Sequence, residues 1–192
     1  MDSTKKSFIL LSALRLFAKK GYHSTKIADI AKDLDISVGS IYDYFTSKKS
    51  LAKACIKYAT HKLATSLKEI NDKNISQKEK IKLFVQDYFL LAQANPEMIE
   101  YFFRIYLSNR EIFCDEDDCG FALAKEFVNE VRRLVEDGVK KNEFKEHSFC
   151  IVFSSIMGIL CAMTYLEGEN ALEKELVLYT HDIANAINRV LF

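Results

Sequence analysis

Between Ile27 and Leu51 the chain carries two short amphipathic stretches, I-A-D-I-A-K-D-L-D-I and S-V-G-S-I-Y-D-Y-F-T-S-K-K-S-L, with a break around Asp35 and Ile36. Helices this short are not stable alone in water and must share a core with a neighbour. Ile27, Ile30, Ala31, Leu34, Ile36 and Ile41 are spaced to form that core with Leu14 and Phe17. Two short helices joined by a turn of about three to four residues, with hydroxyl and basic groups at the second, are the layout of a helix-turn-helix that reads double-stranded DNA.

The surrounding residues strengthen this reading. Ala13, Leu16 and Phe17 precede a break at Gly21-Tyr22; Thr25, Ile27, Asp29, Ile30 and Ala31 follow. Then come Ile36, Ser37, Gly39, Ile41, Tyr42, Tyr44 and Phe45, closed by Ser47, Lys48 and Leu51. In these positions the segment from about Thr4 to Lys57 resembles the TetR/AcrR family of bacterial transcriptional regulators. The resemblance implies an all-α fold of about nine helices. Residues 1–47 would form a three-helix DNA-binding head, and 48–192 a helical ligand-binding and dimerisation body, with helix 48–70 joining the two.

The remaining sequence suits an all-helical chain. One proline and six glycines in 192 residues leave few breaks. The balanced net charge hides an asymmetry: residues 1–57 hold 11 Lys/Arg against 5 Asp/Glu, and the remainder 16 against 22. A basic head on an acidic body directs one end of a molecule at phosphates. No targeting signal is visible in the polar Met1–Lys6, and five cysteines without finger-like spacing suit a reducing cytoplasm. Ser148–Leu166 has no charge and is long enough to span a bilayer, but a helix buried on two sides in a soluble assembly has the same composition.

Punctuation divides the chain further. The first helix runs from about Thr4 to Lys20 and stops at Gly21. Thr25, Ser37 and Ser47 are natural N-caps for the next three helices, and Ser76-x-x-Glu79 is a capping box opening a fifth. Asn95-Pro96 ends the fifth; Met98–Leu107 reads as a sixth, and Asn109–Gly120 as a loop. Phe121–Lys141, the uncharged 148–166 segment and a helix from about Leu172 to Val190 complete nine.

Ser37, Val38, Gly39 and Ser40 occupy the start of the recognition helix, which faces base edges in such motifs. Gly39 either allows close backbone approach or is merely tolerated. The resemblance points to Tyr42 and Tyr44 as phosphate contacts. Lys48 at a helix N-terminus suits a phosphate, and Thr25 with Lys26 would clamp a flanking one. Asp43 either accepts from a cytosine amino group or points to solvent and lowers non-specific affinity; electrostatics favours the second.

Ten of the chain's 23 aromatic residues lie between Phe84 and Phe127. Part must be core. The rest, with Phe153, suggest a pocket for a hydrophobic or amphipathic small molecule: Phe84, Tyr88, Phe102, Phe103, Tyr106, Phe113 and Phe127. Gln93, Asn95, Tyr101 and Arg104 are further polar candidates. A symmetric dimer would double the few base pairs one helix reads. Its expected face is Phe149, Ile156, Leu160 and Met163 with Tyr179, Ile183 and Ile187 of the last helix, in the four-helix bundle the resemblance implies.

Four other readings compete with this one. Cys114 and Cys119 flank an acidic run, Asp115–Asp118, and would serve a redox-responsive regulator, but neighbouring carboxylates raise a thiol's pKa. Glu143, His147 and Cys150 are spaced like metal ligands across a helix boundary, so no metal or cofactor is expected. A helical protein-interaction module would share the body's pattern but leaves the basic head unexplained. Nothing resembles a nucleophile elbow or a phosphate-binding glycine loop, so no enzymatic activity is expected.

Overall fold

The computed structural model describes residues 2–102, 105, 109–113 and 120–191. Among them are ten α-helices and no strand: α1 Asp2–Lys20, α2 Ile27–Asp33, α3 Val38–Tyr42, α4 Lys48–Asn71, α5 Gln77–Ala94, α6 Pro96–Tyr101, α7 Arg110–Phe113, α8 Lys125–Lys140, α9 Phe149–Gly168 and α10 Thr180–Leu191. Single 3₁₀ turns at Gly120–Ala124 and Leu176–Tyr179 precede α8 and α10. The chain falls into two compact units. One comprises residues up to His61 with Asn95–Lys125, the other Lys62–Ala94 with Glu126–Phe192, so α4 contributes its first part to one and its second to the other.

In the first unit, α1 stops where Gly21 takes φ +83°, a conformation that favours glycine, and its N–H returns to the Phe17 carbonyl at 2.8 Å. Ile9, Ala13, Leu14 and Phe17 of α1 are fully buried, as are Ile30 and Ile41 from the two short helices. Burial of each such large side chain contributes about 1.5–3 kcal/mol, the stabilisation that helices of five and seven residues lack on their own. Ser47 and Ser50 form a reciprocal box at the start of α4: each hydroxyl accepts from the other's N–H, at 3.0 and 3.1 Å. α6 opens at Pro96, two residues before the apolar run suggested, because proline tolerates a first helical position that needs no N–H partner. It packs along α1, and Tyr101, fully buried, donates its hydroxyl to the Ala52 carbonyl at 2.9 Å.

In the second unit, α5 is central. Ile81, Phe84, Val85, Tyr88, Phe89 and Ala92 bury a stripe at helical spacing against α9 and α10. The end of α4 is bound by polar side chains: buried Lys80 donates to the Asn71 carbonyl (2.6 Å), and the Asn71 amide to the Glu130 carbonyl and carboxylate (3.0 and 2.9 Å). Burial lowers the Lys80 pKa, yet the helix-end carbonyl it meets favours a cation. Gly138 stands where an added Cβ would lie 2.1 Å from the Phe144 ring. That contact lets the chain fold back after α8 and bring the Glu143 carboxylate to the Gln77 N–H at 2.7 Å.

The final segment differs from the single helix that the periodicity predicts. Leu176–Tyr179 is a 3₁₀ turn, and α10 proper begins at Thr180. The buried Leu176 anchors that turn. α9 is long and apolar enough to cross a membrane by length and composition, and 22% of its apolar window is buried within the chain.

Candidate nucleic-acid interface

α2 ends at Asp33 with Leu34 as its C-cap, and Asp35 turns the chain with φ 53°, so that the Ile36 N–H reaches the Ala31 carbonyl at 3.0 Å. Ser37 then caps α3, its hydroxyl accepting from the Ser40 N–H at 3.1 Å and sharing a 3.0 Å hydrogen bond with the Ser40 hydroxyl. Ile41 points inward at 0% exposure. That fixes the rotation of α3, and the opposite face carries Val38, Gly39, Tyr42 and Asp43 to solvent, with Tyr42 51% exposed. Ser37 is exposed; Ser40 and Tyr44 are half-buried.

The cap of α2 lies one residue later than its sequence suggests. Lys26 occupies it, and the Asp29 carboxylate accepts from the Lys26 N–H at 2.9 Å, a bond that holds the Asp29 pKa low. The Lys26 side chain is exposed. Thr25 is turned inward: at 0% exposure its hydroxyl donates to the carbonyls of Gly21 (2.8 Å) and Leu16 (3.2 Å). Its side chain therefore closes the turn after α1 and does not clamp a phosphate.

Lys48 also departs from the expectation. Its ammonium donates to the carbonyls of Tyr22 and Thr25, at 2.8 and 3.0 Å, and sits 4.3 Å from the Tyr22 ring centroid. Its donors are spent on the protein. Sequence reasoning missed a further brace: the Ser12 hydroxyl and the Arg15 guanidinium both donate to the Asp33 carboxylate, locking α1 to α2. Arg15 and Asp33 lie on different helices, so no helical spacing in the sequence pairs them.

In the second unit, Phe84 and Tyr88 line an open cavity of about 360 Å3 with Leu63, Leu90, Leu91, Lys62, Ser66 and Asp87. The Ser66 hydroxyl donates to Asp87 at 2.9 Å. Behind the cavity, aromatic rings continue from Phe84 to Phe127 (6.0 Å), Phe153 (6.4 Å) and Phe149 (5.6 Å). Of the pocket residues the sequence suggested, Phe84, Tyr88, Phe127 and Phe153 share this region. Phe102 and Phe113 belong to the first unit, Phe113 being 1% exposed core. Phe103, Arg104, Tyr106, Cys114, Cys119 and the Asp115–Asp118 run lie outside the described residues. Tyr101 and Gln93 are engaged elsewhere, Gln93 with Glu167 at 2.9 Å.

The outward face of α9 is rotated from the one expected. Ile156, Leu160 and Ile187 are fully buried within the chain and cannot meet a partner. Phe149, Met163, Tyr179 and Ile183 are half-buried. The exposed apolar residues are Ile151 (58%), Tyr165 (59%) and Leu166, flanking the small Ser154, Gly158 and Ala162.

Residues 9–55, which build the capped α2–turn–α3 arrangement, match the family model of bacterial regulatory proteins, tetR family. That segment is a tetR-family helix-turn-helix. Similarity extends beyond the head to the fatty acid metabolism regulator protein of Bacillus subtilis, 25% identical over 139 residues, 72% of this chain and 70% of that protein. An uncharacterised helix-turn-helix regulator of the same organism is 42% identical over 72 residues, which span 25% of its length. The crystal structure of the Bacillus subtilis regulator FadR with stearoyl-CoA shares the fold at 18% identity, with a TM-score of 0.74 over 97% of this chain and 99% of that one. A fatty acid degradation regulator from Bacillus halodurans does so at 19% and 0.77, over 95% and 94%. The described residues thus share with these structures an all-α fold with an N-terminal helix-turn-helix.

Proposed function

We propose that this chain is a homodimeric, sequence-specific transcriptional repressor that an amphipathic acyl ligand releases from its operator. The observation that carries the reading is α3: a capped helix, rotationally fixed by buried Ile41, that presents Val38, Gly39 and Tyr42 to solvent in a TetR-family head. Ser37, Ser40, Tyr44, Asp43 and exposed Lys26 supply further hydroxyl and charged groups around it. One such helix reads only a few base pairs, so two copies engage a pseudo-palindrome with half-sites about 34–36 Å apart or multiples of that. The uncharged face of Ile151, Ser154, Gly158, Ala162 and Tyr165 suits a second copy of itself, because small residues let two helices approach closely.

The ligand class is supported by the apolar cavity beside Phe84 and Tyr88 and by the fatty acid metabolism regulator among the relatives. A cavity of this size lies within the ordinary range of small-molecule sites, about 300–1,000 Å3. Release requires tighter ligand binding to the form that does not hold DNA; a coupling of about 1–3 kcal/mol changes operator affinity roughly 5–150-fold. The protein would act in the cytoplasm, where a bacterial operator lies.

Selection of bound duplexes from a random pool tests the reading, with Tyr42→Ala beside the wild type. An enriched palindrome that Tyr42→Ala fails to enrich is the expected outcome, followed by release with stearoyl-CoA or stearate and none with coenzyme A alone. No enrichment by the wild type would overturn the regulator reading. Enrichment without release would retain the DNA-binding function and remove the acyl ligand.

A further inference from the structure

The turn between α1 and α2 converges on one cation. Carbonyls of Tyr22 (2.8 Å), Thr25 (3.0 Å) and His23 (3.4 Å) all accept from the Lys48 ammonium, at the first residue of α4. An ammonium has three N–H donors, so this turn fills its capacity. The Tyr22 ring face lies over the same charge at 4.3 Å, and burial beside it lowers the Lys48 pKa. On the other side, the Thr25 hydroxyl fastens the turn to the Leu16 carbonyl in α1 and to the carbonyl of Gly21 just beyond it.

The contacts close into a circuit. Tyr22 stacks on Phe17 of α1 at 5.6 Å, and Phe17 on Tyr101 of α6 at 5.9 Å. Tyr101 donates to the carbonyl of Ala52, one turn beyond Lys48 on α4. Three helices and the turn that opens α2 are thus joined through four side chains. None of the four belongs to the exposed face of α3.

We propose that Lys48 is a positioning residue for DNA recognition and not a phosphate contact. It seats the α1–α2 turn on α4, and so sets the angle at which α2 and α3 present Val38, Gly39 and Tyr42; Tyr101 ties α6 into the same circuit. The inference rests on the DNA-binding reading above and adds to it the residue that orients the reading head.

Salt dependence separates the two roles. Each cation that neutralises a phosphate contributes about 0.9 to the slope of log affinity against log salt, whereas a residue that orients the head contributes none. The experiment titrates the enriched operator and a scrambled duplex at several salt concentrations with wild type, Lys48→Met and Tyr22→Leu, at a temperature where thermal melts show each protein folded. Lys26→Ala serves as the reference for an exposed cation. The expected result for Lys48→Met is a loss of roughly tenfold or more on the operator, with unchanged slope and near-unchanged affinity for the scrambled duplex. Tyr22→Leu should lose operator affinity in the same way although it keeps the ammonium. A slope lowered by about 0.9 in Lys48→Met, with equal loss on both duplexes and wild-type binding by Tyr22→Leu, would overturn the proposal. Should Lys48→Met fail to fold, Tyr22→Leu decides alone: operator loss at constant slope supports it and wild-type affinity sinks it. A wild type that enriches no operator removes the DNA reading before any variant is measured, and the inference with it.

Discussion

α3 and α9 both expose surface that a solitary folded chain does not need, and they expose different chemistry. α3 offers Val38 and Tyr42 among a glycine, serines and Asp43, each small or able to exchange hydrogen bonds with water. α9 offers Ile151, Tyr165 and Leu166 around Ser154, Gly158 and Ala162, with no charge from Phe149 to Leu166. The first face stays hydrated until a polar polymer with fixed phosphates displaces the water. The second gains only by meeting another dry surface. The contrast separates the proposed reading face from the proposed assembly face by whether charge is tolerated on it.

The largest test of that contrast is a charge on the dry face. Ala162→Glu should separate the dimer in light scattering and, by removing the second half-site contact, weaken operator binding about 100-fold or more. A dimer that survives the substitution would show that assembly lies elsewhere. Tyr42→Phe should cost about fivefold to tenfold on the operator by deleting one hydroxyl, and leave the melting temperature unchanged because the ring is exposed. Loss of stability would mean that Tyr42 serves the fold.

Gly39→Ala sharpens the comparison through opposite signs. An added Cβ meets only the Ser37 hydroxyl oxygen at 3.8 Å, so the folded chain has room for it. Helix propensity should then raise stability by about 0.5–1 kcal/mol while operator affinity falls severalfold. If affinity holds, the glycine is merely tolerated. Asp43→Asn should tighten binding to any duplex by a few-fold at low salt with unchanged sequence preference; a changed preference in the selected pool would restore the cytosine contact.

The smallest effect concerns acid. The Ser12 hydroxyl first, and the Arg15 guanidinium after it, hold the Asp33 carboxyl below its ordinary value of 3.8. A depressed folded pKa stabilises the head above that value, and the stabilisation disappears as pH falls through the lower folded one. Ser12→Ala should therefore flatten the acid arm of a pH–stability curve and leave neutral stability slightly reduced. Superimposable acid arms would show that the brace carries no linkage.

Much of the head was legible because its signals are local. Ser37 and Ser47 cap the helices they precede, as Ser76 does for α5 beyond the head, and Gly21 ends the first helix. The buried residues of α2 and α3 lie where helical spacing puts them. What escaped depends on contacts distant in sequence. Thr25 looks like a cap until α1 is folded beneath it, and Lys48 looks like a free cation until three carbonyls converge on it. α9 failed for another reason. A helix apolar on every side has no polar stripe to mark its rotation, so Ile156 and Leu160 could not be distinguished from Ile151 and Tyr165 without the helices they pack against.

The uncharged run Phe149–Leu166 of α9 would also set the order in which the proposed dimer–operator assembly comes apart. Pairing through an uncharged apolar face is not weakened by salt, whereas phosphate contacts weaken steeply as counterions compete. On the proposed reading, high salt would lift the protein from DNA as an intact pair, so that rebinding would need no reassembly of subunits.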